Sequence, residues 1–182
     1  AEKLVTKDAD MCSYQKENTG VSESQFSMLK RLELSEDDHI KLYEHAKKVG
    51  IIFLSTPFDE DSIDFLDNLG VTAFKVGSTD ANNIPYLIKM AKKSKPMIIS
   101  FGMSDDAEVS RSIEVVKKHN NQIVLLHCTT AYPASFDEVN LKAMESLKEK
   151  NQVPVGYSDH TEGFEVSIAA AILGTSVIEK HF

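Results

Sequence analysis

Cysteine is scarce in this sequence. It occurs only at Cys12, in a polar segment, and Cys128, inside an apolar run, so no disulfide framework is implied and a reducing cytoplasm is the expected compartment. Long hydrophobic runs are also missing: none approaches the roughly 20 apolar residues that span a bilayer, and no signal-peptide pattern opens the chain. A soluble protein without a membrane partner is expected. A basic surplus is absent too, since 20 Lys and Arg against 28 Asp and Glu give a formal net charge of -8, mixed along the chain. Nucleic-acid and anionic-membrane surfaces need a clustered basic field, so neither partner is expected, and an anionic ligand must meet locally placed positive groups. An initiator methionine is lacking as well. The chain opens at Ala1 and stops at Phe182 directly after a strand-like run, so the expectation is a fragment. What is there is ordinary for a folded domain: 42% hydrophobic and 26% charged residues over 182 positions, enough to bury a core.

From Ile51 onward short, β-branched apolar runs alternate with amphipathic stretches. The runs 51–54, 73–76, 97–100, 123–127, 153–156 and 177–180 predict about six strands. Their continuous apolar character suits a parallel sheet covered on both faces, with helices as crossovers. Ser35 with Asp38 three residues on has a capping-box pattern, followed by Leu42, Tyr43, Ala46 and Val49 on one face. Ser104 similarly opens a helix with an apolar stripe of Val109, Ile113 and Val116. Gly50, Gly70 and Gly174 each follow a helical stretch and precede an apolar run, where a left-handed cap is expected. Residues 1–34 are polar and read as a long excursion with one short helix, and 35–182 as βα units. Such units close into a (β/α)8 TIM barrel or stay an open doubly wound sheet; periodicity does not decide. A full barrel needs roughly 250 residues, so a barrel here would be incomplete by about two strands.

In either architecture the site lies at the carboxyl ends of the strands. Ser158 and His160 are two apart, as are Glu179 and His181, so each pair faces one side of its strand. If the strands are neighbours, two imidazoles and a carboxylate converge. Two histidines with open positions suit Mn²⁺ or Mg²⁺ better than a closed zinc site, while a single strand-end histidine such as His127 reads more simply as structural. Lys75 ends a strand where its ammonium must find an anion, and Thr56, Ser78, Ser100 and Ser158 add hydroxyl donors around the rim. Each hydroxyl alone reads as a cap or turn residue; together with a lysine they suit a phosphate or carboxylate. Cys128 reads as a buried structural thiol, and Tyr132-Pro133 as a loop kink or a sugar contact.

The strand-end motifs STPFD at 55–59, AFKVGS at 73–78, HCTTAYP at 127–133, VGYSDHT at 155–161 and VIEKHF at 177–182 resemble the sialic acid synthase family. That family includes N-acetylneuraminate, legionaminic acid and pseudaminic acid synthases and spore-coat polysaccharide synthases. The resemblance implies a (β/α)8 barrel of which about strands 3 to 8 are present, in a homodimer, with strand 2 and a C-terminal antifreeze-like domain missing here. It also implies condensation of phosphoenolpyruvate with an N-acetylated amino-sugar at a divalent metal. Residue by residue, it gives Thr56, Lys75, Ser78, Ser100 and Ser158 to phosphoenolpyruvate, His160 and His181 to the metal, Glu179 to catalysis and Tyr132 to the amino-sugar. Thr130 is given to substrate binding as well, at a position that can be Asn or Ser in the family. Phe101 and Thr79-Asp80 are further departures. With so much missing, the isolated chain is expected to be inactive. Two other readings stay open: a keto-deoxy sugar acid synthase, which would need more basic residues for a second phosphate, and a non-catalytic barrel remnant serving as a binding module.

Overall fold

A computed structural model describes residues 1–181; Phe182, which ends the last predicted motif, lies outside the described residues. By its internal contacts the chain divides into two compact units, Ala1–Phe53 and Leu54–Phe182.

The first unit contains helices α1 (Ser13–Thr19), α2 (Gln25–Leu32) and α3 (Glu36–Val49). Two helices, not one, precede Ser35, which corrects the expected single short helix. An Asp10–Ser24 antiparallel bridge draws the segment before α1 against the start of α2. The capping box is present: Ser35 Oγ accepts from the Asp38 amide at 3.2 Å, and an Asp38 carboxylate oxygen accepts from the Ser35 amide at 3.3 Å. The apolar face predicted for α3 buries only Ala46, with Leu42 44% and Val49 55% exposed. Periodicity says which residues share a face, not whether a second layer covers it.

The predicted strand at 51–54 does not form. The Ile51 amide closes the end of α3 on the Ala46 carbonyl at 3.0 Å, and Ile51 and Ile52 are left 65% and 72% exposed. An apolar run becomes a strand only where a neighbour completes its ladder. Among the described residues, five strands rather than six are found.

The second unit runs α4 (Glu60–Leu69), β1 (Phe74–Val76), α5 (Ile84–Ala91), β2 (Met97–Phe101), α6 (Asp106–Lys117), β3 (Ile123–Cys128), α7 (Ala143–Asn151), β4 (Val155–Asp159), α8 (Glu165–Ile172) and β5 (Ile178–Lys180). All pairings are parallel and the sheet order is β1-β2-β3-β4-β5. Strict sequential order is the barrel pattern; a doubly wound sheet reverses at a switch point. Asp105, one residue after the expected Ser104, caps α6 by accepting from the Glu108 amide at 2.9 Å. All three left-handed glycines fall as predicted, with Gly50 at φ 77° after α3, Gly70 at φ 87° before β1 and Gly174 at φ 83° before β5.

Alternation along each strand separates two faces. Phe74, Val76, Met97, Ile99, Leu125 and Tyr157 are fully buried, and α7 packs on β3 and β4 while α8 packs on β4 and β5. The residues between them point to the other side, where Lys75, Ile98, Leu126 and Glu179 line a cavity of about 290 Å³. Lys75 on β1 approaches Glu179 on β5 at 3.5 Å. In a flat sheet four strand spacings would hold them about 19 Å apart, so the sheet is curled into a half-barrel and the cavity is its lumen. Gly156 permits the curl, because a Cβ there would meet the Val177 carbonyl oxygen at 2.4 Å and Leu126 Cδ2 at 2.5 Å.

Candidate active site in the half-barrel lumen

The lumen site is built from the rims of the strands. Lys75 leaves β1 with its side chain 11% exposed, and its ammonium donates to Ser100 Oγ at 2.9 Å and to its own neighbour's carbonyl, Val76, at 3.2 Å. Its counter-charge is Glu179. That carboxylate in turn accepts from Ser158 Oγ at 2.6 Å, so Lys75, Ser100, Ser158 and Glu179 form one continuous chain across β1, β2, β4 and β5. Thr56 lines the same cavity, and Ser78 opens the turn after β1, its hydroxyl 3.0 Å from Cys128 Sγ. Burial pushes the Cys128 thiol up, which suits a packed thiol rather than a nucleophile.

The two histidines meet beside this chain. The rings of His160 and His181 are 4.3 Å apart, centroid to centroid, and perpendicular. Tyr132 stacks on His160 at 4.0 Å and stands edge-on to His181 at 5.5 Å. Ala134 N donates to the His160 carbonyl at 2.9 Å, which ties this tyrosine loop to β4. Hydrogen bonding fixes the His160 tautomer. The Thr129 carbonyl can only accept, so Nδ1 carries the proton, and Nε2 keeps its lone pair. Ser158 Oγ lies 3.3 Å from that Nε2, but its single proton goes to Glu179 over the shorter 2.6 Å contact. Burial, aided by the neighbouring His181, pushes the His160 pKa down and favours the neutral ring.

An uncharged imidazole with a directed lone pair next to a second imidazole is a pair of donors that a divalent cation could use. Among the described residues, no group of three or more His, Cys, Asp or Glu converges as a closed metal cage. A cation held here would complete its shell with water or ligand oxygens, which leaves positions open.

Not every expected residue joins the lumen. Thr130 is exposed, with its methyl packed where a Gly102 Cβ would come within 2.8 Å, and no hydrogen bond ties it to the Lys75 chain. His127 faces the opposite side, contacting the Val139 carbonyl at 2.8 Å and the Tyr157 ring at 5.9 Å, as the structural reading anticipates. Sequence reasoning missed the support behind the lumen. Asp159 is wholly buried; burial opposes its charge, yet hydrogen bonds from Ser167, Thr161 and Lys180 together hold its carboxyl below the usual value. Tyr86 also went unnoticed, its hydroxyl donating to the Pro57 carbonyl in the STPFD segment. Strand alternation put Asp159 and Lys180 on a common face but not opposite one another, which the β4–β5 register decides; the Tyr86 contact had no local signal.

Comparison with known proteins bears on this geometry. The sequence profile of the NeuB family matches residues 1–182. The N,N'-diacetyllegionaminic acid synthase of Legionella pneumophila is 51% identical over 187 residues, covering 100% of this chain and 52% of that protein. The human N-acetylneuraminate-9-phosphate synthase is 42% identical over 153 residues, covering 84% of this chain and 43% of that protein. Among solved structures, an N-acetylneuraminic acid synthetase from Leptospira borgpetersenii, in complex with citrate, superposes with a TM-score of 0.85 at 33% identity, covering 92% of this chain and 59% of that one. The chain thus spans about half the length of the curated relatives it matches.

Proposed function

The chain belongs to the NeuB family, and on that premise we propose that it carries part of the active site of a synthase that condenses phosphoenolpyruvate with an N-acetylated amino-sugar. The acceptor is N-acetylmannosamine or a diacetamido-hexose, the product is a nine-carbon sialic-type acid, and phosphate is released. The observation that carries this reading is the lumen chain of Lys75, Ser100, Ser158 and Glu179 running up to the His160–His181 pair.

In this reaction C3 of phosphoenolpyruvate bonds to the aldehyde carbon of the open-chain sugar. Water then adds at C2, and the C2–O bond to phosphate breaks. Lys75 and Ser100 supply a cation and a hydroxyl in one place for the ligand's phosphate or carboxylate, Thr56 borders the same lumen, and Ser78, just past the end of β1, would add its hydroxyl. An arriving anion competes with Glu179 for Lys75, which would release the carboxylate to manage a proton near the reacting carbons. Ser158 keeps that carboxylate aimed through its 2.6 Å hydrogen bond. His160 and His181 would hold a divalent metal, Mn²⁺ or Mg²⁺, whose chemistry when bound is to polarise the sugar's carbonyl oxygen. Tyr132, packed against both imidazoles, holds their rings in place, and its ring would contact the amino-sugar.

The test is a condensation assay on the protein expressed from its complete coding sequence, with Mn²⁺, phosphoenolpyruvate and each candidate sugar, reading phosphate release and product mass. One acetamido-sugar should give a nine-carbon keto acid. His181→Ala should lower turnover roughly 100-fold or more with the fold retained. Undiminished turnover in that variant would remove His181 from the metal role, and inactivity with all acetamido-sugars would overturn the reading itself.

A further inference from the structure

Among the described residues β4 and β5 pair over three rungs: Tyr157 with Ile178, Ser158 with Glu179, and Asp159 with Lys180. Side chains alternate, so Ser158 and Glu179 face the lumen while Asp159 and Lys180 face away from it. A slip of a single residue along β5 would exchange the faces, bringing Ile178 and Lys180 into the lumen and turning Glu179 and His181 out. Backbone ladder bonds do not distinguish these registers. Hydrophobic burial distinguishes them weakly, because Ile178 on the outer face is still 39% exposed.

Asp159 does distinguish them. Its carboxylate is 0% exposed and takes four donors. One oxygen accepts from the Thr161 amide at 2.9 Å and the Thr161 hydroxyl at 2.7 Å; the other accepts from Ser167 Oγ at 2.5 Å and from Lys180 Nζ at 3.1 Å. Lys180 Nζ also donates to the Thr161 carbonyl. Thr161 and Ser167 belong to the β4–α8 segment and stay with Asp159 in any register of β5. Lys180 is the donor that β5 brings, and a slip would strip a buried carboxylate of its cation. The His181 amide adds a backbone bond to the Asp159 carbonyl at 3.2 Å, so the same residue is tied to both histidine positions.

We propose that Asp159 and Lys180 are positioning residues: an ion pair behind the lumen that pins β5 in register, so that Glu179 and His181 face Lys75 and His160. The proposal rests on the reading of His160 and His181 as a cation-facing pair, and it adds what keeps them a pair.

The test uses the protein from its complete coding sequence and the variants Lys180→Met, Lys180→Arg and Asp159→Asn. Two readouts are taken: Mn²⁺ affinity by electron paramagnetic resonance, and the ¹⁵N signals of the histidine rings without metal. Asp159→Asn alters a fully buried site and can compromise folding, so Lys180→Met, whose parent side chain is 29% exposed, carries the test. It should lower Mn²⁺ affinity roughly 10- to 100-fold and shift the His160 and His181 ring signals in a protein that is still folded but melts at a lower temperature, with Lys180→Arg restoring affinity, ring signals and midpoint toward the parent. Parent-like affinity and unchanged ring signals in Lys180→Met would overturn the proposal. If the parent itself binds no Mn²⁺, the cation reading fails and the ring signals alone decide: a shift reversed by arginine supports the register pin, and no shift refutes it.

Discussion

Replacing Gly156 by Ala tests the claim that the lumen exists because β4 and β5 approach unusually closely. An added Cβ would sit 2.4 Å from the Val177 carbonyl oxygen and 2.5 Å from Leu126 Cδ2, where ordinary contact begins at 3.4 Å. Leu126 can turn at its end. The carbonyl cannot readily yield, because it accepts from the Tyr157 amide and the Thr175 hydroxyl, both at 2.9 Å. Relieving the clash therefore means moving β5 outward by about 1 Å and weakening at least one of those bonds. Overpacking costs about 1–3 kcal/mol and a weakened hydrogen bond about 1 more, so a loss of about 2–4 kcal/mol is expected. For a chain of this size that lowers the melting midpoint by about 5–15 °C. Gly77→Ala is the internal control: its φ of -74° suits any residue, and its nearest neighbours would be 3.7 and 3.8 Å from the new Cβ. Thermal melts of both variants are the assay. A Gly156→Ala midpoint within 1–2 °C of the parent, or equal to that of Gly77→Ala, would show that β5 is free to give way and refute the reasoning.

Two further outcomes follow from the geometry. Burial lowers the pKa of His127, while its hydrogen bonds to the Val139 and Asn140 backbone only partly offset this. The unfolded chain then binds a proton near pH 6.5 that the folded chain refuses, so stability should be intact above that value and fall as pH drops below it; in denaturant titrations from pH 7.5 to 5, His127→Gln should flatten the slope, and an unchanged slope would exclude this residue as its source. Tyr132→Ala removes a ring stacked at 4.0 Å on His160, worth about 0.5–1.5 kcal/mol, and should weaken Mn²⁺ binding by about 2- to 10-fold, whereas Tyr132→Phe should leave it unchanged and raise only the sugar KM; equal metal affinities in the two variants would argue against the stacking role.

Much of the lumen was legible in the sequence because it depends on alternation, a local rule. Ser158 and His160, and Glu179 and His181, are each two apart on short apolar runs, and that spacing alone put them on a common face. The same rule carried Asp159 and Lys180 to the opposite face, but nothing local says that two outward-facing charges will be opposite one another; that needs the β4–β5 register. Lys75 was correctly expected to require an anion. That the protein supplies one itself, Glu179, follows only from the curl of the sheet, which brings together residues 104 positions apart (179 less 75). The run at 51–54 has strand composition without a completed ladder, and composition cannot report on a neighbour. Shifts of a residue or so at element ends, such as Asp105 for Ser104, reflect competition among adjacent capping side chains rather than a misread pattern.

The ion pair between Lys75 and Glu179 has a consequence for how an anion finds its way in. Because the ammonium is already paired with a carboxylate, and the whole chain carries a formal charge of -8, Lys75 by itself exerts little long-range pull on an anion. An anion admitted to this lumen would be selected at contact range, by exchange of one carboxylate for another negative group on the same lysine.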